Sequence, residues 1–184
     1  MDLLRDELPS PLGRVDVVSD GKAVLGVEFE GHEFRLASLL ARYIGPYTLR
    51  GARDPGGATS RLRAYFEGDL SAIETLPVVA MGTEFSRQVW AALRTIPVGT
   101  TTTYQRIAEA IGRPKACRAV GLANGANPVA IIVPCHRVIG SNAHLTGYRG
   151  GLERKQWLLA HEGVMLGGQA SASPQARAGV VAAR

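Results

Sequence analysis

Asn127-Pro128-Val129-Ala130-Ile131-Ile132-Val133-Pro134-Cys135-His136-Arg137-Val138-Ile139-Gly140 is the stretch from which the rest of the chain can be read. Its first half is an apolar run with the β-branched richness of a buried strand. Pro134 ends that run, so one of only two cysteines is expected on a turn at the end of a rigid core element, with an imidazole beside it. A thiol becomes a strong nucleophile when a neighbouring base takes its proton or when positive surroundings lower its pKa. Cysteine is also among the most often buried residues and commonly just packs. The flanking sequence has to decide between the two.

Upstream, the pattern from Thr83 is helical. Thr83 is a good N-cap, and Phe85, Val89, Trp90 and Leu93 share one apolar face as far as Ile96. Pro97-Val98-Gly99 breaks it. Thr103 can cap a second helix, Tyr104 to Ile111, with Ile107, Ala108 and Ile111 inward. Gly112-Arg113-Pro114 makes a turn, and Pro114 at a first helical position starts a third helix to about Asn124. Helix, glycine turn, helix is the helix-turn-helix arrangement. The third helix offers Ala116, Cys117, Ala119, Gly121 and Ala123, with Arg118 its only long polar side chain. A major-groove reader needs several side chains that reach base edges, whereas small residues let a backbone press into the narrower minor groove. The same small residues would also permit tight helix packing.

Downstream, Gly150-Gly151 introduces a helix from Leu152 to His161, with Leu152, Trp157, Leu158 and Ala160 as expected core. The N-terminal part reads as a hairpin, Leu12 to Val18 and Ala23 to Phe29 around Asp20-Gly21-Lys22. An ambiguous apolar segment, His32 to Tyr43, follows, then a loop from Gly45 to Ser60 and a short helix from Ser60 to Phe66. Nothing in this part is assigned to chemistry. The fold class is therefore α+β: a small N-terminal sheet-plus-helix unit over residues 1–78, then a mostly helical unit over 79–167 containing the helix-turn-helix. Residues 168–184, rich in Gly, Ala and Ser, are expected to be a disordered tail.

The 184 residues are 46% hydrophobic and 20% charged, as in a soluble globular protein. No stretch approaches the roughly 20 apolar residues that span a bilayer. The N-terminus is too acidic for a secretory signal, so a cytoplasmic setting and a reduced Cys135 are expected. Two cysteines are too few for a disulfide framework or a four-thiolate zinc site. The net charge of +5 is uneven: residues 1–82 hold nine Lys/Arg against twelve Asp/Glu, residues 83–184 twelve against four. A polyanion is expected to bind the C-terminal part.

The Asn127–Gly140 stretch, continued by Thr146-Gly147-Tyr148-Arg149-Gly150-Gly151-Leu152 and Lys155-Gln156-Trp157-Leu158-Leu159-Ala160-His161-Glu162-Gly163, resembles the O6-alkylguanine-DNA alkyltransferases, or methylated-DNA–protein-cysteine methyltransferases. The likeness is close from about Gly82 to Gly163 and looser from Ser10 to Leu76. It implies a ribonuclease-H-like N-terminal domain and a DNA-binding, alkyl-transfer domain. The implied reaction moves the alkyl group of O6-alkylguanine, and of O4-alkylthymine, irreversibly onto Cys135 after the base is flipped out. It further implies that His136 takes the thiol proton through a water, that Glu162 orients the imidazole, and that Tyr104 protonates the departing base. Asn127 would be the hinge asparagine. Tyr148, Arg149 and Val138 would line the base pocket, and Lys155 would assist polarisation near the tyrosine. Arg118 would intercalate, with Thr103, Ala116, Cys117, Ala119 and Gly121 at the DNA. No cofactor or metal is implied. The expected partner is double-stranded DNA bound through its minor groove by a monomer, with cooperation along DNA left open.

Two positions depart from the family pattern: Arg149, where many relatives carry a small residue, and Cys117, where alanine is commoner. Arg149 is expected to turn outward, since burying an unpaired guanidinium costs several kcal/mol. A C-terminal carboxylate opposes the helix dipole, so Glu162 needs a compensating partner. Arg137 reads as a buried structural arginine. Two rivals are a cysteine hydrolase, which leaves the basic alanine-rich helix unexplained, and a non-enzymatic alkylated-DNA binder, which lacks the nucleophilic cysteine. A regulator of the adaptive-response type would need an added cysteine-rich zinc domain.

Overall fold

A computed structural model of the chain describes residues 1–141, 145 and 147–165. The expected tail, 168–184, and Thr146 of the downstream motif lie outside the described residues. The chain begins with β1 (Asp2–Ser10), β2 (Gly13–Ser19), β3 (Val24–Phe29), α1 (Glu33–Ile44), β4 (Thr48–Gly51) and α2 (Ala58–Phe66). It continues with α3 (Glu84–Leu93), β5 (Thr102–Thr103), α4 (Tyr104–Ala110), α5 (Cys117–Gly125), β6 (Val138–Ile139) and α6 (Leu152–His161). Among the described residues, the mixed sheet and six α-helices make the fold α+β, as read from the sequence.

The four-stranded sheet has the order β3-β2-β1-β4, with β4 parallel to β1 and the other pairs antiparallel. The β2–β3 hairpin turns at Asp20, whose carboxylate accepts from the Lys22 and Ala23 amides. β1 was not anticipated. Its two buried apolar residues, Leu3 and Leu8, are five apart and so face opposite sides of the sheet, one toward α1 and one into the main core. No alternation shows in such a strand. β4, all of it exposed, emerged from the expected loop because β1 offered it a parallel partner.

The open edge of β3 joins the two halves. Val24 exchanges bonds with Pro77 and Val79, and Val27 with Pro128 and Ala130, all at 2.8–3.0 Å. The main hydrophobic cluster accordingly runs without a break from Leu8 and Phe29 through Val89 and Val120 to Leu158. α1 lies across β3 at Gly26, where an added Cβ would sit 2.5 Å from the Leu36 side chain. The ambiguous 32–43 segment is this helix, with Leu36 and Leu40 buried and Phe34 exposed to the solvent side.

Three expectations are corrected. Val129–Val133 is not a strand: only Val129 bridges to Val27, and the run then folds on itself, Val133 N bonding Val129 O at 3.0 Å. Ile131, at φ 70°, provides the reversal. A short apolar run says that a segment is buried but not how it satisfies its backbone. Pro114 lies outside the third helix, in an Arg113–Ala116 turn closed by Ala116 N to Arg113 O at 2.9 Å, and α5 begins at Cys117. Position i+1 of a turn suits its fixed φ as well as a first helical turn does. On α6 the buried residues are Lys155, Leu158 and Leu159, while Leu152 and Ala160 face out.

Candidate active site

Cys135 opens a single 3-10 turn, Cys135–Arg137, and is buried. Asn127 reaches it from the connection between α5 and the turn. The Asn127 amide donates to the Val133 carbonyl at 2.8 Å and to Cys135 Sγ at 3.1 Å, and its oxygen accepts from Val129 N at 3.0 Å. Asn124, on α5, donates to the Cys135 carbonyl at 3.3 Å. The helix that carries Arg118 is thus tied to the Cys135 backbone. Burial pushes the thiol up, while the Asn127 hydrogen bond and the charge of Lys155 pull it back.

His136 is fully buried and its Nε2 lies 3.0 Å from Glu162 Oε1. Arg137 donates to both Glu162 oxygens at 2.8 Å and to the Ile96 carbonyl at 2.6 Å. The Tyr65 hydroxyl, arriving on α2, donates to Glu162 Oε1 at 2.8 Å. These are the partners that a carboxylate at the end of α6 requires. Burial by itself raises the Glu162 carboxyl, but the His136 and Arg137 bonds overcome it and hold it well below the usual range. Burial and the Glu162 charge push the Tyr65 hydroxyl far up, so it stays a donor. An ionised carboxylate only accepts, so the imidazole proton sits on Nε2 and Nδ1 keeps its lone pair. Nδ1 is buried without a hydrogen-bond partner among the described residues. Burial also lowers the imidazole pKa, so His136 rests neutral. A neutral imidazole with a free lone pair is chemically able to accept a proton.

β5 and β6 pair in parallel, Thr102 with Val138 and Thr103 with Ile139, and Tyr104 follows at the start of α4. Thr103 caps α4 by accepting from Arg106 N. The half-buried Tyr104 ring packs by Gly121, where an added Cβ would be 3.8 Å away. Lys155 is completely buried, with Nζ donating to the Val138 carbonyl at 2.6 Å. Burial lowers its pKa to about 8. Tyr148 stacks edge-on to Phe29, and both rings would lie 2.9 Å from a Cβ at Gly150, which explains the glycine. The buried Tyr148 hydroxyl is pushed well up, chiefly by burial.

Cys135, Asn127, Tyr148, Arg149 and Gly150 line one cavity together with Glu28, Phe29 and Arg35. Among the described residues it has a volume of about 20 Å³, enough for about one water. Arg149 is exposed at the mouth and its Nε donates to Gly125 O, the end of α5, at 2.7 Å. Arg118, Ala119 and Leu122 are exposed on α5, while Ala116, Cys117 and Gly121 are half-buried. Sequence reasoning missed Tyr65, Glu28 and Arg35, all from the half to which it assigned no chemistry. Tyr65 lies within the short helix that ends at Phe66, where nothing local marks it as a partner for a carboxylate, and no local pattern distinguishes the other two. Among the described residues, no cluster of His, Cys, Asp or Glu is suited to a metal ion, and no helix is long and apolar enough to cross a membrane.

Residues 84–164 match the family model described as 6-O-methylguanine DNA methyltransferase, DNA binding domain. The chain is 49% identical to a methylated-DNA–protein-cysteine methyltransferase of Shigella flexneri over 167 residues, covering 89% of this chain and 98% of that one. It superposes on the crystal structure of Mycobacterium tuberculosis O6-methylguanine methyltransferase with a TM-score of 0.71 at 39% identity, covering 87% and 92% of the two chains. The crystal structure of Mycobacterium tuberculosis OGT in complex with DNA gives the same TM-score, 0.71, at 40% identity over 88% and 92%. The similarity covers most of both chains, and the chain belongs to the methylated-DNA–protein-cysteine methyltransferases.

Proposed function

We propose that this protein repairs DNA by moving the alkyl group of O6-alkylguanine, and of O4-alkylthymine, onto Cys135 Sγ, once per molecule and after the nucleotide is flipped out. The family supplies the reaction class. The observation that carries the assignment is the thiol held by Asn127 at the wall of a cavity, next to an imidazole whose tautomer Glu162 dictates. The thiol proton passes through one water to His136 Nδ1, and the imidazolium formed is stabilised by Glu162. Sulfur then attacks the alkyl carbon, the S–C bond forms, the C–O6 bond breaks, and Tyr104 gives a proton to the departing base. Lys155 and Asn127 favour the thiolate, and Tyr148 and Val138 border the base. The thioether is stable, so no second turnover follows.

Arg118 occupies the space of the extruded nucleotide, and the small residues Ala116, Cys117, Ala119 and Gly121 with Thr103 let α5 press into the minor groove. The protein acts as a monomer in the cytoplasm, without cofactor. Its units run over 1–78 and 79–167. Intact-mass analysis after incubation with duplex DNA containing O6-methylguanine tests the reading. One added methyl per protein, mapped to Cys135 and absent from Cys117 and from Cys135→Ala, is expected. Repair of several lesions by one molecule would overturn it.

A further inference from the structure

Helix α1 sends one side chain across to the active-site half. Arg35 Nε donates to Glu28 Oε2 at 2.9 Å, its Nη1 to the Ala126 carbonyl at 3.1 Å, and its Nη2 to the Asn127 carbonyl at 2.6 Å. Ala126 caps the end of α5, and Asn127 is the residue whose amide rests on Cys135 Sγ at 3.1 Å. Glu28 is almost wholly buried on β3, between Val27, which bonds the Pro128–Ala130 backbone, and Phe29, which packs on Tyr148. Asn127 is therefore gripped at both ends, its carbonyl by the N-terminal half and its side chain on the nucleophile. Glu28, Arg35, Asn127 and Cys135 border the same cavity.

We infer that Arg35, braced by Glu28, is a positioning residue for the nucleophile: by fixing the Asn127 backbone it holds the Asn127 amide on the Cys135 sulfur, so the N-terminal half takes part in alkyl transfer. The inference rests on the reading of Cys135 as the alkyl acceptor. A planar guanidinium with donors at fixed angles can serve two successive carbonyls and a carboxylate together, which a lysine ammonium does not reproduce. A hydrogen bond onto sulfur favours its charged form. The other groups facing the thiol are Lys155 from α6, which favours the thiolate, Glu28, which opposes it, Arg35 itself, whose charge favours it, the Tyr148 hydroxyl, and the neighbouring His136. Charge and positioning make opposite predictions at Glu28, which allows them to be separated.

The test measures the rate of methyl transfer against pH for the full chain, on single-stranded and on duplex oligonucleotides containing O6-methylguanine, with thermal unfolding alongside. Arg35→Lys is expected to slow transfer at neutral pH about tenfold and to raise the midpoint of the pH profile by about one unit. The fold-loss should be equal on the two substrates and should vanish when Asn127 is already alanine. Glu28→Leu should shift the midpoint the same way, although it removes a negative charge. Wild-type rates in Arg35→Lys, a lowered midpoint in Glu28→Leu, or losses additive with Asn127→Ala would each overturn the inference. So would a lower unfolding temperature with an unmoved pH profile, or a loss confined to duplex DNA. Failure of the wild-type protein to methylate Cys135 would instead remove the reading on which it rests.

Discussion

Replacing Glu162 with glutamine tests the buried network most directly. Its carboxylate receives Arg137 twice and Tyr65 once, all at 2.8 Å, and His136 at 3.0 Å. Arg137 is 7% and Glu162 0% exposed, so neither charge is compensated by water. Glutamine keeps one acceptor oxygen but turns an N–H donor toward the Arg137 donors, leaving a buried guanidinium without its counter-charge. Removing one partner of such a pair costs about 3–5 kcal/mol. For a chain of this size that corresponds to a fall of about 6–20 °C in Tm. A typical domain is stable by about 5–15 kcal/mol, so the variant should still fold.

The pH dependence has a definite sign. The folded protein keeps Glu162 ionised well below the ordinary carboxylate range, whereas the unfolded chain takes up this proton near about pH 4.3. The stability contributed by this group is complete above that pH and drains away below it, by up to about 1.4 kcal/mol per unit. Urea unfolding of the two proteins from pH 7 to pH 3 should show a gap that narrows with acid. Transfer by the variant should fall about 100-fold, because the imidazole loses the acceptor that fixes its proton on Nε2. A gap under about 1 kcal/mol at neutral pH, or one undiminished at pH 3, would refute the reasoning from a buried, ionised Glu162.

Arg118→Ala should slow repair of duplex DNA more than of the free base, because the extruded state of a stacked base costs a few kcal/mol to hold open; equal losses on both would assign Arg118 another task. Arg149 is exposed, bonded to the end of α5, and does not enter the cavity as an unpaired charge, so its expected task is to meet a backbone phosphate. Arg149→Ser should therefore weaken DNA binding and reduce the salt slope by about one, with the benzyl-to-methyl rate ratio little changed. A large rise in benzyl transfer at an unchanged slope would mean that the side chain restricts the pocket.

Much of the molecule could be read from residues close together in the chain. Thr83 and Thr103 cap the helices they precede, Asp20 turns its hairpin, and Pro-Cys-His-Arg stands on a turn against the core. These are local effects: a cap, a turn or an apolar stripe is decided within about a dozen residues. The tertiary structure alone decided that Val129–Val133 folds back instead of extending, because its strand partner is Val27, some hundred positions earlier, and only one residue of the run pairs with it. It also decided that Tyr65 serves Glu162 and that Arg35 grips Asn127, contacts that span 97 and 92 positions. No spacing encodes such pairs. They exist because the open edge of β3 is closed by the second half of the chain, which brings buried polar groups from both halves into one low-dielectric space where each has to find its partner.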